Sequence, residues 1–415
     1  MEQANPLVHN VEINQASPIH KLPIEILSEI FILCSRINSG AGVFVLYSRT
    51  AVMNSRTPVV ITGVCQSWRS IMLSLPLAWS IIEPCVLWSN KESGFSMELE
   101  AAFQYIKTCL ERSKPYPVHV RLPELMISSL YEKYNKEALA AISIAAPRIM
   151  CLRSSDLHSD WLSQMRFPLL ERLSWTNNCN ISASFFSHSN FPSLHYLDSG
   201  LCTWVNPSTA GQPLPSPLEY FVIRSYLTTN WVQVVQGCSN TLTGLQVNLM
   251  RKGIHSPRVT VNFPVLSYLQ IWESDHDSWP IQAITPALTA YDEKLLPGTL
   301  PIGYAIVTNV KYLQWSNVRE LHLYPSLEIL QLNANSNALA TLVEQFEQFE
   351  GLCPNLWCIK FYTRDRSNEE ENRIRLAEHA LLAARPHVEF VWIKYPNRMT
   401  PLPGSKTFDM CGHAI

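Results

Sequence analysis

The chain has 415 residues, 47% of them hydrophobic and 16% charged, with a formal net charge of −2. That length outgrows a single core, so two or more domains or an elongated repeat array are expected. The charged share falls well below the roughly 25% of an average soluble chain, which predicts that partners cover part of the apolar surface. A nearly balanced charge excludes nucleic acid as a main ligand, because phosphate binding needs a basic excess.

Residues 1–18 are polar and aperiodic and end in Ser17-Pro18, the pattern of a flexible lead-in. They contain neither the basic start nor the apolar core of a secretory leader, and no stretch reaches the roughly 18 uninterrupted apolar residues of a membrane span. The 11 cysteines are scattered, with no CxxC pair. Together these features predict reduced thiols, a cytoplasmic or nuclear location and no membrane association.

The first strong signal is LPIEILSEIF from Leu22. Pro23 suits the first turn of a helix, where its missing N–H goes unnoticed. Ile24, Leu27, Ile30, Phe31 and Cys34 then follow the spacing of a buried stripe. Ile26, Ile32 and Leu33 spread apolar surface around the rest of the helix, more than a small core absorbs, and such a surplus marks a partner site. A second helical segment opens on Thr57-Pro58 as cap and first residue. Val60, Val64, Trp68 and Ile71 or Met72 recur in it at helical spacing, and Leu75, Pro76 and Trp79 close the segment.

LPxEIL, then VCxxWR, then a hydrophobic run ending in Trp resembles an F-box, the helical module by which substrate receptors dock on the Skp adaptor of a Skp-cullin-F-box ubiquitin ligase. The resemblance implies that Leu22, Pro23, Ile26, Leu27, Ile30, Val64, Cys65 and Trp68 contact the adaptor or hold the helices that do. Leu22 and Val64 lie 42 positions apart, more than in a compact F-box, and the excess reads as an inserted loop at 38–57. The string YIKTCLERSKPYPVHVRL from Tyr105 is also similar to the segment after the F-box in fungal receptors of this kind.

Beyond this 19–82 module, residues 83–146 read as a connecting helix–strand–helix segment. Its first helix is expected over Met97–Ser113, with Leu99, Phe103, Ile106 and Leu110 on one face. A strand carries Val118, Val120 and Leu122, and a second helix spans Tyr131–Ala145. From Pro147 a Pro-x-Leu-x-x-Leu pattern recurs, with Leu218/Phe221 and Leu242/Leu245 filling two gaps without the proline, and the first apolar positions fall at 149, 170, 194, 218, 242, 266 and 288. Looser matches follow at 327, 356 and 388, with Val318, Leu321 and Leu323 as a further strand candidate. A repeat of roughly 20–29 residues carrying leucines at this spacing is the signature of a leucine-rich repeat, one short strand per unit. Each unit buries its apolar strand face only by stacking on its neighbours.

The expected fold is therefore α/β, an N-terminal helical F-box followed by an irregular leucine-rich-repeat-like solenoid over 147–395. Its curved, mostly parallel sheet would carry helices and loops outside, and a flexible tail would occupy 396–415. Segments at Trp231–Cys238 and Ala338–Leu352 have helical character and belong to the outer layer.

No motif for catalysis is present: there is no GxSxG, Walker loop, GxGxxG after a strand or HExxH. Asp275, His276 and Asp277 read as a solvated loop. Cys353, Cys358, His379 and His387 do not fit a zinc spacing. No catalytic, cofactor or metal residue is assigned, and no enzymatic activity is expected. The informative surface is the outward set of strand residues, which includes Arg153, Gln270, His322, Lys360 and Trp392. Arg172, Tyr196, Tyr220, Arg224, Tyr268, Trp272 and Tyr362 are its target-binding candidates, because Tyr, Trp and Arg dominate interface hot spots. The function implied is substrate recognition within the ligase, with the adaptor, through it a cullin, and an unidentified target protein as partners. The alternatives are an F-box scaffold that degrades nothing and an α/β enzyme.

Overall fold

A computed structural model of the chain describes residues 18–40, 57–84, 92–122, 128–154, 162, 164–175, 180–182, 189–200, 203–205, 218–225, 231–249, 259–273, 281–294, 308–315, 321–333, 336–349, 351–363 and 368–394. The expected flexible ends, the acidic Asp275–Asp277 cluster and most of the expected loop at 38–57 lie outside these residues. The chain divides into two compact units, the first running to Leu152 and the second beginning at Arg153. That is six residues beyond the boundary read from the first proline repeat.

The first unit contains α1 (Ile24–Gly40), α2 (Thr57–Val64), α3 (Gln66–Leu73), β1 (Ile81–Ile82), α4 (Glu92–Arg112), β2 (Val118–Arg121), α5 (Ser128–Ala145) and β3 (Ile149–Ser154). Its strands lie side by side in the order β1-β2-β3, and β1 pairs parallel with β2. The expected helix–strand–helix segment is present. Phe103, Ile106 and Leu110 of α4 are buried, as are Val118, Val120 and Leu122 along β2. Arg148 ties the C-terminal end of α4 to the start of β3. Its guanidinium donates to Leu110 O at 2.9 Å and Tyr116 O at 2.7 Å, giving carbonyls past the helix end a charged donor.

The second segment of the motif is not one helix. It breaks at Cys65, whose backbone is extended (φ −155, ψ 169), and restarts as α3. Val60, Val64 and Trp68 therefore do not share one continuous helix face. The Cys65 Sγ caps the new helix, accepting from Trp68 N at 3.4 Å. The closing Trp79 is buried, donates Nε1–H to Met72 O at 2.9 Å, and lies beneath the Arg112 guanidinium at 5.0 Å.

The second unit contains β4 (Arg172–Trp175), β5 (Asn180–Ser182), β6 (Tyr196–Asp198), β7 (Thr203–Val205), β8 (Tyr220–Ser225), α6 (Trp231–Cys238), β9 (Gly244–Leu249), β10 (Val259–Asn262), β11 (Tyr268–Glu273), β12 (Ile281–Ile284), β13 (Ala290–Lys294), β14 (Tyr312–Trp315), β15 (Ile329–Asn333), α7 (Ser336–Gln348), β16 (Cys358–Thr363), α8 (Asn368–Ala384) and β17 (Glu389–Lys394). The main strands run β4-β6-β8-β9-β11-β13-β14-β15-β16-β17, and every pairing among them is parallel. A parallel neighbour cannot be reached by a tight turn, so a crossover separates each pair. Among the described residues, seven of the nine crossovers hold α6, α7, α8 or a short strand, and the one from β14 to β15 holds the 3-10 turn Leu321–Leu323. Consecutive short strands pair with each other, Asn180 opposite Thr203 and Val259 opposite Ile281, so the connections keep step with the main sheet.

Two backbone devices repeat along the unit. The proline of each repeat occupies the second position of a β-turn, for which its φ is preset. Leu170 N donates to Phe167 O, Leu194 N to Phe191 O, Leu288 N to Thr285 O, Leu327 N to Tyr324 O, Leu356 N to Cys353 O and Val388 N to Arg385 O. The leucine that ends each turn is buried. At the next residue the strands are joined by a fork in which one carbonyl accepts two successive N–H groups from the next strand. Glu219 O accepts from Thr243 N (2.8 Å) and Gly244 N (3.1 Å), and Thr243 O accepts from Ser267 N (2.9 Å) and Tyr268 N (3.1 Å).

Two sequence expectations are corrected. The candidate strand around Leu321 and Leu323 is a 3-10 turn at Leu321–Leu323. The repeat that fills the gap after 288 is β14, with Val310 and Leu313 as its buried pair, 22 residues after Leu288 and Tyr291. It lacks the proline, which hid it. Helix α8 shows only weak apolar periodicity in the sequence; its buried contacts are Ile374 and Leu381.

Register places Arg172, Tyr196, Tyr220, Gly244, Tyr268, Ala290 and Tyr312 in one row across the sheet. The small residues in it let the rings lie down. Tyr220 stacks on Tyr196 at 5.4 Å and on Tyr268, two strands away, at 6.2 Å. A Cβ at Gly244 would stand 2.2 and 2.3 Å from Cε2 and Cδ2 of Tyr220. Replacing Gly244→Ala is therefore expected to destabilise the second unit by about 1–3 kcal/mol through overpacking. Chemical denaturation measures this, and adding Tyr220→Leu should recover part of the loss.

Candidate functional site

Two surfaces carry the candidate residues, one in each unit. In the first unit, α1 is apolar on two sides. Leu27, Phe31 and Ser35, spaced i, i+4, i+8, are buried, and the Phe31 ring meets Trp68 at 5.0 Å. Residues are set about 100° apart around a helix, so Ile26, Ile30 and Leu33 cluster within about 60° of one another, facing away from that stripe. Ile26 is 47% exposed and Leu33 is exposed, and Ile30 is half-buried. Leu22 and Pro23, just before the helix, are exposed too. On α2, Pro58 and Ile61 are buried, whereas Val59, Val60 and Val64 stand open, Val64 at 56%.

Of the eight residues expected on the adaptor side, Leu22, Pro23, Ile26 and Val64 are thus exposed and Ile30 is half-buried. Leu27, at 5% exposure, is turned inward. Trp68 packs half-buried on Phe31, and Cys65 serves as a helix cap, so these three hold the helices in place. Ile24, expected on the buried stripe, is exposed because it heads the helix, about two turns before the Phe31–Trp68 contact. Val59 and Val60 are additions. Their signal is the run VVITGV, too apolar for one face of an eight-residue helix.

In the second unit the face bearing the tyrosine row is distinct from the leucine face, as alternation along a strand requires. Two positions along from that row comes a second row of Ser174, Asp198, Val222, Gln246, Gln270, Asp292, Gln314, Gln331 and Lys360. Hydrogen bonds tie these side chains to neighbours on the same face. Gln246 Nε2–H donates to Tyr220 Oη at 2.7 Å, Tyr362 Oη–H donates to Gln331 Oε1 at 3.1 Å, and Gln270 Nε2–H donates to the Asp292 carboxylate. Asp198 accepts from Arg224 at 3.0 Å, from Ser174 Oγ at 3.4 Å and from Gly200 N at 3.2 Å. Burial raises the Tyr268 hydroxyl well above its ordinary pKa, and burial together with the Asp198 charge does the same for Tyr196. These phenols stay neutral and act through hydrogen bonding and ring area.

The seven target-binding candidates do fall on this one face, but they are not equally open. Tyr220, Tyr268 and Tyr362 are buried. Tyr220 and Tyr268 form a small cluster with Val222 and Ala290, against which Tyr196 and Tyr312 pack. The expectation that these three rings project outward is corrected: the Gly244 and Ala290 positions let Tyr220 and Tyr268 pack along the sheet, and Tyr362 is held by Gln331. Arg172, Tyr196 and Arg224 are half-buried, and Trp272 is 37% exposed. Trp392 belongs to the opposite face, stacked on Phe361 at 4.7 Å with Nε1–H donated to Glu378 of α8, and His322 lies in the 3-10 turn. Of the glutamines, sequence reasoning named Gln270 and missed Gln246, Gln314 and Gln331. Their signal is a Leu-Gln pair at 245, 269, 313 and 330, in register on four strands.

Among the described residues no group of three or more His, Cys, Asp or Glu side chains could hold a metal ion, and no helix is long and apolar enough to cross a membrane. Cys353 directs its Sγ at the Leu321 and Tyr324 carbonyls. No family model matches the chain, and no curated protein matches it.

Burial pushes the thiols of Cys109, Cys238 and Cys353 up to about 12 from 9.0. An unfolded thiol releases its proton near 9.0 while the folded one keeps it to about 12, so the stabilisation is complete below pH 9 and is lost as the pH climbs between those values. A denaturation series should show stability falling in that window. At pH 8 a thiol reagent should label Cys34 and Cys65, which are half-buried, while the native fold protects the buried Cys109, Cys151, Cys238, Cys353 and Cys358.

Proposed function

We propose that this chain is the substrate-recognition subunit of a Skp-cullin-F-box ubiquitin ligase. The first unit carries the F-box at 19–82, which docks the Skp adaptor, and the repeats of the second unit are a leucine-rich-repeat-like solenoid that holds a target protein. The observation that carries this reading is the two-sided apolarity of α1. Its Leu27–Phe31 side is consumed by the unit's own core, and a separate side made of Leu22, Ile26, Ile30 and Leu33 is left to water with Val59, Val60 and Val64 close by in sequence to the VCxxWR segment. An uncovered apolar surface of this extent on a small helical unit calls for a protein partner. The motif order LPxEIL then VCxxWR supports the adaptor as that partner.

In this mechanism the chain makes and breaks no bond. It tethers a target near the charged conjugating enzyme, which raises the effective concentration of target lysines. The parallel face with Trp272, Arg172, Arg224 and Tyr196 at least partly accessible is the surface for the target, and the buried tyrosine–glutamine rows beneath give it rigidity.

Ile26→Asp combined with Val64→Asp places two charges on the open side and leaves the Phe31–Trp68 packing intact. Co-purification with the adaptor and a cullin should drop at least tenfold, the loss of roughly 1.4 kcal/mol or more of docking energy, while circular dichroism and thermal midpoint stay near those of the unaltered chain. Retained co-purification overturns the adaptor reading. Target turnover that persists when the cullin is inactivated would replace degradation with a scaffold role.

A further inference from the structure

Arg69 ends the VCxxWR motif, and its side chain does something the motif does not reveal. From the first turn of α3 it reaches back across the helix break and donates Nε–H to Thr62 O in α2 at 2.9 Å. Thr62 lies in the last turn of α2, where carbonyls have no partner within the helix, so a guanidinium there answers both an unpaired acceptor and the negative end of the helix dipole. On the other side of the break, the Cys65 Sγ caps the start of α3 by accepting from Trp68 N at 3.4 Å. The extended Cys65 backbone is thus spanned on one side by a thiol cap and on the other by a guanidinium clasp.

The side chains at this end of α2 are largely open to solvent. Gly63 precedes Val64 and has open space around its Cβ position, and Val59, Val60 and Val64 are exposed. The end of α2 that carries Val64 is therefore short of packing, and a residue without a side chain sits where rigidity is needed. We infer that Arg69 is a positioning residue, which fixes the angle between α2 and α3 and thereby presents Val60 and Val64 to the adaptor. The inference rests on the docking reading above. Arg69 reaches the partner only through α2, and its contribution is pre-organisation: a preset α2 spares the complex the ordering of that helix end on binding.

The test uses the full chain with Arg69→Ala and Arg69→Lys, two readouts and the purified Skp adaptor. Amide hydrogen exchange on the free protein should speed up for residues 63–67 in both variants, because lysine keeps the charge but lacks a donor at the Nε position, while protection of α4 and of the second unit is unchanged. Adaptor affinity by calorimetry should fall about tenfold in Arg69→Ala, the scale of one charged hydrogen bond, and the decrease should remain in Arg69→Lys. Unaltered exchange at 63–67 overturns the clasp. Full affinity in Arg69→Lys with loss in Arg69→Ala overturns it in favour of direct charge attraction to the partner, and faster exchange with unchanged affinity leaves Arg69 a structural residue and overturns the positioning role. If the unaltered chain does not bind the adaptor, the docking reading fails, and the exchange result still decides whether the clasp exists.

Discussion

Eight of the ten described main strands of the second unit start on a shared carbonyl. The oxygen at the foot of one strand takes two successive N–H groups from the next, from Glu171 through His195, Glu219, Thr243, Ser267, Thr289, Lys311 and Glu328. A fork of this kind fixes register as well as adjacency, because a slip of one residue would put the second N–H out of reach and turn every leucine to the wrong face. Thr243, Ser267 and Thr289 reinforce it with side-chain hydroxyls bonded to the preceding foot carbonyl. The proline turns upstream deliver the chain to that point at the correct angle. With register set at the foot, the leucine rows, the tyrosine row and the glutamine row follow without further instruction, and the connecting segments are free to be helix or strand.

That freedom explains which parts of the fold were legible. Period and apolar position are dictated by stacking, and they stood in the sequence as Leu170, Leu194, Leu218, Leu242, Leu266 and Leu288. The connections answer to weaker demands, so β5, β7, β10, β12 and α8 left little trace. Strand β14 was passed over because attention to proline outweighed the 22-residue step that Val310 and Leu313 continue. The outward row was legible as a face but not in its exposure: sequence spacing says which side of a sheet Tyr220 occupies, and only its neighbour, Gly244, decides that the ring lies flat and disappears from solvent.

The first unit posed the opposite difficulty. An excess of isoleucine, leucine and valine is visible in the text of α1 and α2, but periodicity cannot assign which apolar stripe faces inward. The assignment came from Phe31 and Trp68, whose contact commits the Leu27 side to the core. The break at Cys65 was invisible for a related reason. Thr57–Leu73 contains no glycine or proline at the break, and cysteine is an uncommon helix cap, so nothing in the sequence signals that the helix stops and restarts.

The pairing of Tyr220 with Gly244 also constrains how such a chain could change in length. Stacked repeats invite duplication or loss of whole units, since each contributes the same strand, turn and foot carbonyl. Here two neighbouring units are shaped to each other, one supplying a ring and the next a vacancy for it. Tyrosines on adjacent strands are tolerated, as Tyr196 and Tyr220 show by stacking, but the Tyr220 ring also lies over the Gly244 position, so losing the glycine-bearing unit alone would remove the space that ring occupies. The Tyr220 and Gly244 units therefore belong together, a pair spanning 48 residues from Tyr220 to Tyr268.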